Sequence, residues 1–212
     1  MLANWITIAR LPLLLLSIVA LYVAPVQLQL AGAAVLFIGF LLDTLDGLIA
    51  RRRGQSSLFG SVLDIATDRT YELALWVAFA DLRLVPTTLP LVVIARTVLT
   101  DALRSLGVCQ GTAPFAQHES AVGQFLVGSP WMRIAYSASK ITTFCGLALA
   151  HALMEWPDTA ARQLAEQAIA LLQISAWLTA GLCLVRGLPV LVGALRRHWG
   201  RAPAPQLMTD MH

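Results

Sequence analysis

The sequence predicts an all-α integral membrane protein of six transmembrane helices with both termini in the cytoplasm. Three observations predict it. Over 212 residues, 58% are hydrophobic and only 13% charged, with a mean hydropathy of +0.71, which is too apolar for an ordinary water-soluble domain. The apolar residues fall into six stretches, each of roughly the 20 residues needed to cross a bilayer. Proline, glycine and charged clusters punctuate those stretches, and basic side chains crowd alternate breaks.

The first span is expected over about 6–23, closing at Pro25 before the polar Gln27 and Gln29. Arg10 lies inside it and no small-residue cleavage site follows, so it reads as a retained span and not as a cleaved signal. The second runs over about 30–50 and ends in the basic turn Arg51-Arg52-Arg53-Gly54. The third covers about 58–80, and Asp81 to Pro86 forms a short loop. The fourth covers about 89–106, followed by a polar connection from Gly107 to Pro130. The fifth covers about 134–153 and stops at Glu155-Trp156-Pro157-Asp158. The sixth covers about 168–185. Residues 1–199 form a single catalytic domain in this reading, and 200–212 a basic, proline-containing cytoplasmic tail.

Arg51, Arg52, Arg53, Arg104, Arg133, Arg186, Arg196, Arg197 and Arg201 fall on one side of this layout. Arg83 and Arg162 fall on the other, beside Asp81, Glu155 and Asp158. Loops rich in arginine stay cytoplasmic. Lys140 is the only lysine among the 15 basic residues, and arginine's planar fork suits phosphate as well as helix flanks. Cys109, Cys145 and Cys183 are scattered and odd in number, without metal-ligand spacing. His118, His151 and His198 are isolated and read as structural or surface residues. Nothing points to nucleic acid.

Against this apolar background stand Asp43, Asp46, Asp64 and Asp68, at the facing ends of the second and third spans. Charged residues at such depth are costly and mark sites. Asp43 and Asp46 are three apart, Asp64 and Asp68 four apart, so each pair shares a helix face. A short connection would make the two helices antiparallel neighbours and let four carboxylates converge. Four such anions stay ionised together only with cations among them. Oxygen donors without histidine or cysteine select Mg²⁺, Mn²⁺ or Ca²⁺ over zinc. Gly47, Ala50 and Gly60 leave the same faces free of bulk, either for close helix packing or for a flat ligand. Arg51 adds a fixed positive charge. Paired cations, an arginine and a slot fit a diphosphate-containing nucleotide.

The run Asp-x2-Asp-Gly-x2-Ala-Arg-x8-Gly-x3-Asp-x3-Asp from Asp43 to Asp68 resembles the signature of the CDP-alcohol phosphotransferase family at every defined position. The resemblance implies a membrane enzyme of phospholipid synthesis. It implies that Asp43, Asp46, Asp64 and Asp68 hold two divalent cations, Mg²⁺ or Mn²⁺, and that Asp68 also deprotonates the attacking hydroxyl. It implies that Gly47, Ala50, Arg51 and Gly60 line the cytidine diphosphate site. It further implies a homodimer in the inner membrane with its active site facing the cytoplasm.

The opening Asn4-Trp5-Ile6-Thr7-Ile8-Ala9-Arg10, with Ala95-Arg96 and Ala102-Leu103-Arg104, is similar to phosphatidylglycerophosphate synthases. That similarity implies transfer of a phosphatidyl group from CDP-diacylglycerol to a polyol phosphate, glycerol 3-phosphate first. Arg10, Arg96, Arg104 and Lys140 are the candidates to hold its phosphate, although Arg104 and Lys140 also fit as side chains snorkelling at helix ends. Thr97, Ile65 and the single lysine depart from that subgroup, and Leu63 to Arg69 resembles the branch that uses inositol phosphate equally well. A divalent-cation transporter is the reading from a different class. The carboxylates lie at helix ends by a basic turn instead of at mid-membrane, which speaks against it.

Overall fold

The structure is a computed structural model that describes residues 2–23, 25–53, 58–109 and 129–199; within these, the side chains of 2–8, 43–53, 58–61, 104, 106–109, 130 and 196–199 are outside the description. The described residues form six helices: α1 (Leu2–Tyr22), α2 (Val26–Arg53), α3 (Leu58–Asp81), α4 (Thr88–Cys109), α5 (Pro130–Met154) and α6 (Thr159–Trp199). They pack as a closed ring in the order α1, α2, α5, α6, α4, α3 and back to α1.

Five of the six helices lie within a few residues of the apolar stretches. The sixth differs. It runs for 41 residues and carries Pro189 inside it, so Arg186 is within the helix and not in a following loop. Polar residues end the apolar run in the sequence, but backbone hydrogen bonding continues past them. Proline removes one rung of the ladder and bends a helix without always ending it.

The core is apolar, but unlike that of a water-soluble bundle it also holds charged and polar side chains while large apolar ones face outward. Arg10, Gln29, Glu72, Arg96, Thr100, Thr143 and Thr179 are buried, while Leu15, Leu16, Phe37, Val98, Leu99, Leu171, Trp177 and Leu178 point outward. An apolar girdle of this extent is a liability in water and a match for hydrocarbon. Over Thr159–Leu195, α6 is long and apolar enough to cross a membrane, and α1 and α2 contribute shorter apolar stretches, Ala9–Tyr22 and Val26–Leu42. The 22 residues of α4, rising 1.5 Å each, reach about 33 Å, which matches the hydrocarbon thickness.

Close packing explains the helix neighbours. A Cβ at Gly32 would lie 2.7 Å from that of Ala20, so glycine sets the approach of α1 to α2. Phe144 on α5 anchors the core. Its ring stacks on Phe40 at 6.1 Å and meets Trp76 edge-on at 5.1 Å. One end of the ring is tied by short polar contacts. Tyr22 Oη donates to Asp81 at 2.7 Å, Gln29 Nε2 donates to Glu155 at 2.9 Å, and Gln173 Nε2 donates to the Leu84 carbonyl at 3.0 Å. These contacts gather the C-termini of α1, α3 and α5 with the N-terminus of α2, and tie the connection before α4 to the body of α6.

Candidate active site

The motif aspartates lie at the opposite end. Asp43, Asp46, Gly47, Ala50 and Arg51 occupy the last turns of α2 and Gly60 the first turn of α3, all with side chains outside the description. Asp64 and Asp68 are described, half exposed on α3. Between them and the rest of the ring stands Arg10. It is 1% exposed, with Nη2 3.1 Å from Asp68 and Nη1 3.8 Å from Asp64. A guanidinium this deep is stable only beside anions. One arginine serves two carboxylates and pins α1 to α3.

Among the described residues, α2 and α3 do not pack along their backbones. Each packs on α1, and they reach one another through Tyr71, whose ring meets Phe40 at 5.8 Å and whose hydroxyl fills the space that a Cβ would take at Gly39. The inserted helix brings Arg10 to the carboxylates, which direct contact of α2 with α3 would not provide.

Among the described residues no group of three or more His, Cys, Asp or Glu side chains gathers as metal ligands; Asp64 and Asp68 are half of the expected donor set. Their chemistry suits a hard divalent cation, since only carboxylate oxygens are offered.

Beyond Asp68 a polar cavity opens, lined by Arg10, Phe40, Asp68, Tyr71, Glu72, Ser137, Lys140 and Ile141. Arg10 and Lys140, two of the four candidate acceptor ligands, share it with Asp68. Arg96 is elsewhere, on α4 against α6, where it is 8% exposed. A Cβ at Gly187 would run into its guanidinium, so glycine is what lets this arginine pass the α6 backbone. The Arg104 side chain is outside the description.

Five residues that sequence reasoning passed over complete the site. Glu72, one turn past Asp68 and 3% exposed, accepts a short hydrogen bond from Tyr136 Oη. Its other oxygen faces Lys140 Nζ at 3.3 Å and Arg69 Nη1 at 3.7 Å. Arg69 Nε reaches Asp101 at 3.2 Å. The Tyr136 ring lies under Lys140 at 4.8 Å and under the Arg186 guanidinium at 5.1 Å. The signal for Glu72 was present in the sequence, since 64, 68 and 72 continue one helix face at four-residue spacing. Nothing local marked Tyr136 or Arg186, which come from α5 and α6.

The chain matches known proteins over this layout. It is 42% identical to a phosphatidylinositol phosphate synthase of Mycobacterium marinum over 66 residues, 28% of this chain and 28% of that protein. It is 41% identical to the Mycobacterium tuberculosis protein of the same description over 66 residues, 28% of this chain and 30% of that one. It is 33% identical to inner membrane protein YnbA of Escherichia coli over 126 residues, 57% of this chain and 63% of that one. The matched region thus spans under a third of the mycobacterial relatives. The sequence pattern of the family described as CDP-alcohol phosphatidyltransferase matches residues 1–185. A match over most of the chain, together with buried charge around the motif aspartates, settles its kinship: this chain belongs to the CDP-alcohol phosphatidyltransferase family.

Proposed function

We propose that this protein is a six-span membrane enzyme that transfers the phosphatidyl group of CDP-diacylglycerol to a phosphorylated polyol and releases CMP. The observation that carries the acceptor class is the pair Arg96 and Arg186. The Nε atoms of both are buried without a hydrogen-bond partner, and Arg186 shares the Tyr136 ring with Lys140. Unpartnered buried donors of this kind cost about 1–3 kcal/mol each, and an acceptor phosphate would satisfy them. Arg10 and Lys140 serve the same anion from the cavity side, and Arg104 extends the set. We rank inositol phosphate ahead of glycerol 3-phosphate, because the mycobacterial relatives are phosphatidylinositol phosphate synthases. The opening turns and the fourth span favour the second.

In the reaction a hydroxyl oxygen of the acceptor forms a bond to the lipid-bearing β-phosphorus, and the bond from that phosphorus to the bridging oxygen breaks. The bridging oxygen leaves on CMP with the negative charge. Asp68 takes the hydroxyl proton as general base. Asp43, Asp46, Asp64 and Asp68 would hold two divalent cations, which when bound neutralise the diphosphate and stabilise the leaving oxygen. Gly47, Ala50, Arg51 and Gly60 would receive the cytidine diphosphate. Arg10 holds Asp64 and Asp68 in place between turnovers. The arginine-rich helix ends support an active site on the cytoplasmic side of the inner membrane. A homodimer remains the family-based expectation.

The test is CMP release by purified protein in lipid nanodiscs with CDP-diacylglycerol and a panel of acceptors. Release should need Mg²⁺ or Mn²⁺, stop in EDTA, and be fastest with inositol phosphate or glycerol 3-phosphate. Full turnover under chelation, or preference for serine, would count against the reading. Mn²⁺ uptake into proteoliposomes without CMP release would favour a transporter.

A further inference from the structure

Glu72 lies outside the family's aspartate motif. We propose that it is a positioning residue for the acceptor: a buried anion that fixes Lys140 and Arg69 where a phosphorylated acceptor meets them. The proposal rests on the reading of the acceptor as anionic.

The geometry is specific. Glu72 stands on α3 and reaches Tyr136 and Lys140, both on α5, across the cavity that also holds Asp68. Among the described residues α3 and α5 do not pack along their backbones; they meet through Trp76 and Phe79 on Phe144 and, at the cavity, through this bridge of side chains. Lys140 is held from two sides, by the Glu72 carboxylate at 3.3 Å and by the Tyr136 ring at 4.8 Å. Lysine otherwise has a flexible four-carbon stem, and ordering it in advance lowers the entropy cost of binding an anion. Arg69 is likewise stretched between Glu72 and Asp101. Tyr136, hydrogen-bonded to Glu72, also underlies Arg186. One carboxylate thus orders, directly or through a phenol, three cations that would repel one another. Arg186, over the same Tyr136 ring as Lys140, adds a further positive charge for a phosphate to meet.

Steady-state kinetics test this with Glu72→Gln, Glu72→Asp, Lys140→Met and the double variant Glu72→Gln/Lys140→Met. Glu72→Gln should raise KM for the phosphorylated acceptor by about tenfold or more, the effect of one charge-assisted contact, while KM for CDP-diacylglycerol stays within about twofold. Glu72→Asp should recover part of the loss. Because Glu72 acts through Lys140, the double variant should be little worse than the worse single. A purely structural role predicts something else: a lower thermal midpoint with both KM values unchanged, or both rising together. Either result, or full additivity in the double variant, overturns the proposal. If Glu72→Gln does not fold, Lys140→Met and Glu72→Asp must still show the split between the two KM values, and its absence there overturns the proposal equally. The wild-type arm separates the parent reading: an enzyme that prefers an unphosphorylated alcohol removes both, whereas normal use of the phosphorylated acceptor with an unchanged Glu72→Gln removes only this one.

Discussion

Among the described residues, two of the polar regions inside this apolar molecule are satisfied differently. Between α5 and α6 runs a seam of hydroxyls. Thr143 bonds Ser175 at 2.7 Å and Thr179 at 3.2 Å, Ser139 meets Thr179 at 2.5 Å, and Thr179 donates to the Ser175 carbonyl at 2.8 Å. Every member is neutral and is answered within the seam. The other region is charged, and beyond the cavity Arg96 Nε and Arg186 Nε are buried without hydrogen-bond acceptors among the described residues. Polar residues inside a membrane protein therefore have at least two uses. A closed neutral network holds helices together. In the proposed reading the charged one is left open for the acceptor phosphate.

The largest expected break in this contrast is at Asp68. Asp68→Asn should lower the rate of CMP release by about 10²–10⁴-fold, the usual worth of a general base, with a metal ligand weakened as well. The thermal midpoint should fall as well, because the buried Arg10 guanidinium loses its carboxylate partner at 3.1 Å. Retained binding of CDP-diacylglycerol would place the loss in the chemical step. Near-normal turnover would put the base elsewhere.

The orphaned arginines come next. Arg186→Met keeps much of the packing volume against Tyr136 and removes the donors. It should raise KM for the phosphorylated acceptor by about tenfold to a hundredfold, which corresponds to 1.5–3 kcal/mol for a charge-assisted bond. Arg96→Ala should act in the same direction, and KM for CDP-diacylglycerol should not follow. If both variants leave acceptor use unchanged, the open donors have another partner and the acceptor reading loses its support.

The contrast also bears on what the sequence discloses. Helix positions were readable because Pro25, the Arg51–Arg53 turn and the Glu155–Asp158 break interrupt apolar runs at spacings that only helices use in lipid. The length of α6 was not, since hydropathy locates the apolar part of a helix while hydrogen bonding determines its ends. The aspartates stood out in the sequence by their spacing against an apolar background, and the described residues place Asp64 and Asp68 of the four beside Arg10. Glu72 shares their face and period, and so was within reach of the same argument. Tyr136, Arg186 and the insertion of Arg10 between α2 and α3 were not, because they depend on which helix lies beside which. Lys140 illustrates the limit: its type suggested phosphate, but only the tertiary arrangement pairs it with Glu72.

The smallest expected effect falls on the seam, and it is the sharpest control. Thr143→Val preserves shape and removes the hydroxyl that joins Ser175 to Thr179. Thr143 is fully buried, so water cannot replace it. Ser175 loses that partner, while Thr179 keeps Ser139 and the Ser175 carbonyl. Hydrogen bonds between membrane helices average about 0.6 kcal/mol and reach about 1.7, so the cost should be about 1 kcal/mol, or about 2–4 °C in the thermal midpoint for a chain of this size. Both KM values and the turnover number should remain at wild type. A loss of acceptor affinity in Thr143→Val as large as that in Arg186→Met would show that the seam and the charged region act as one network. The distinction between closed and open polar regions would then fail.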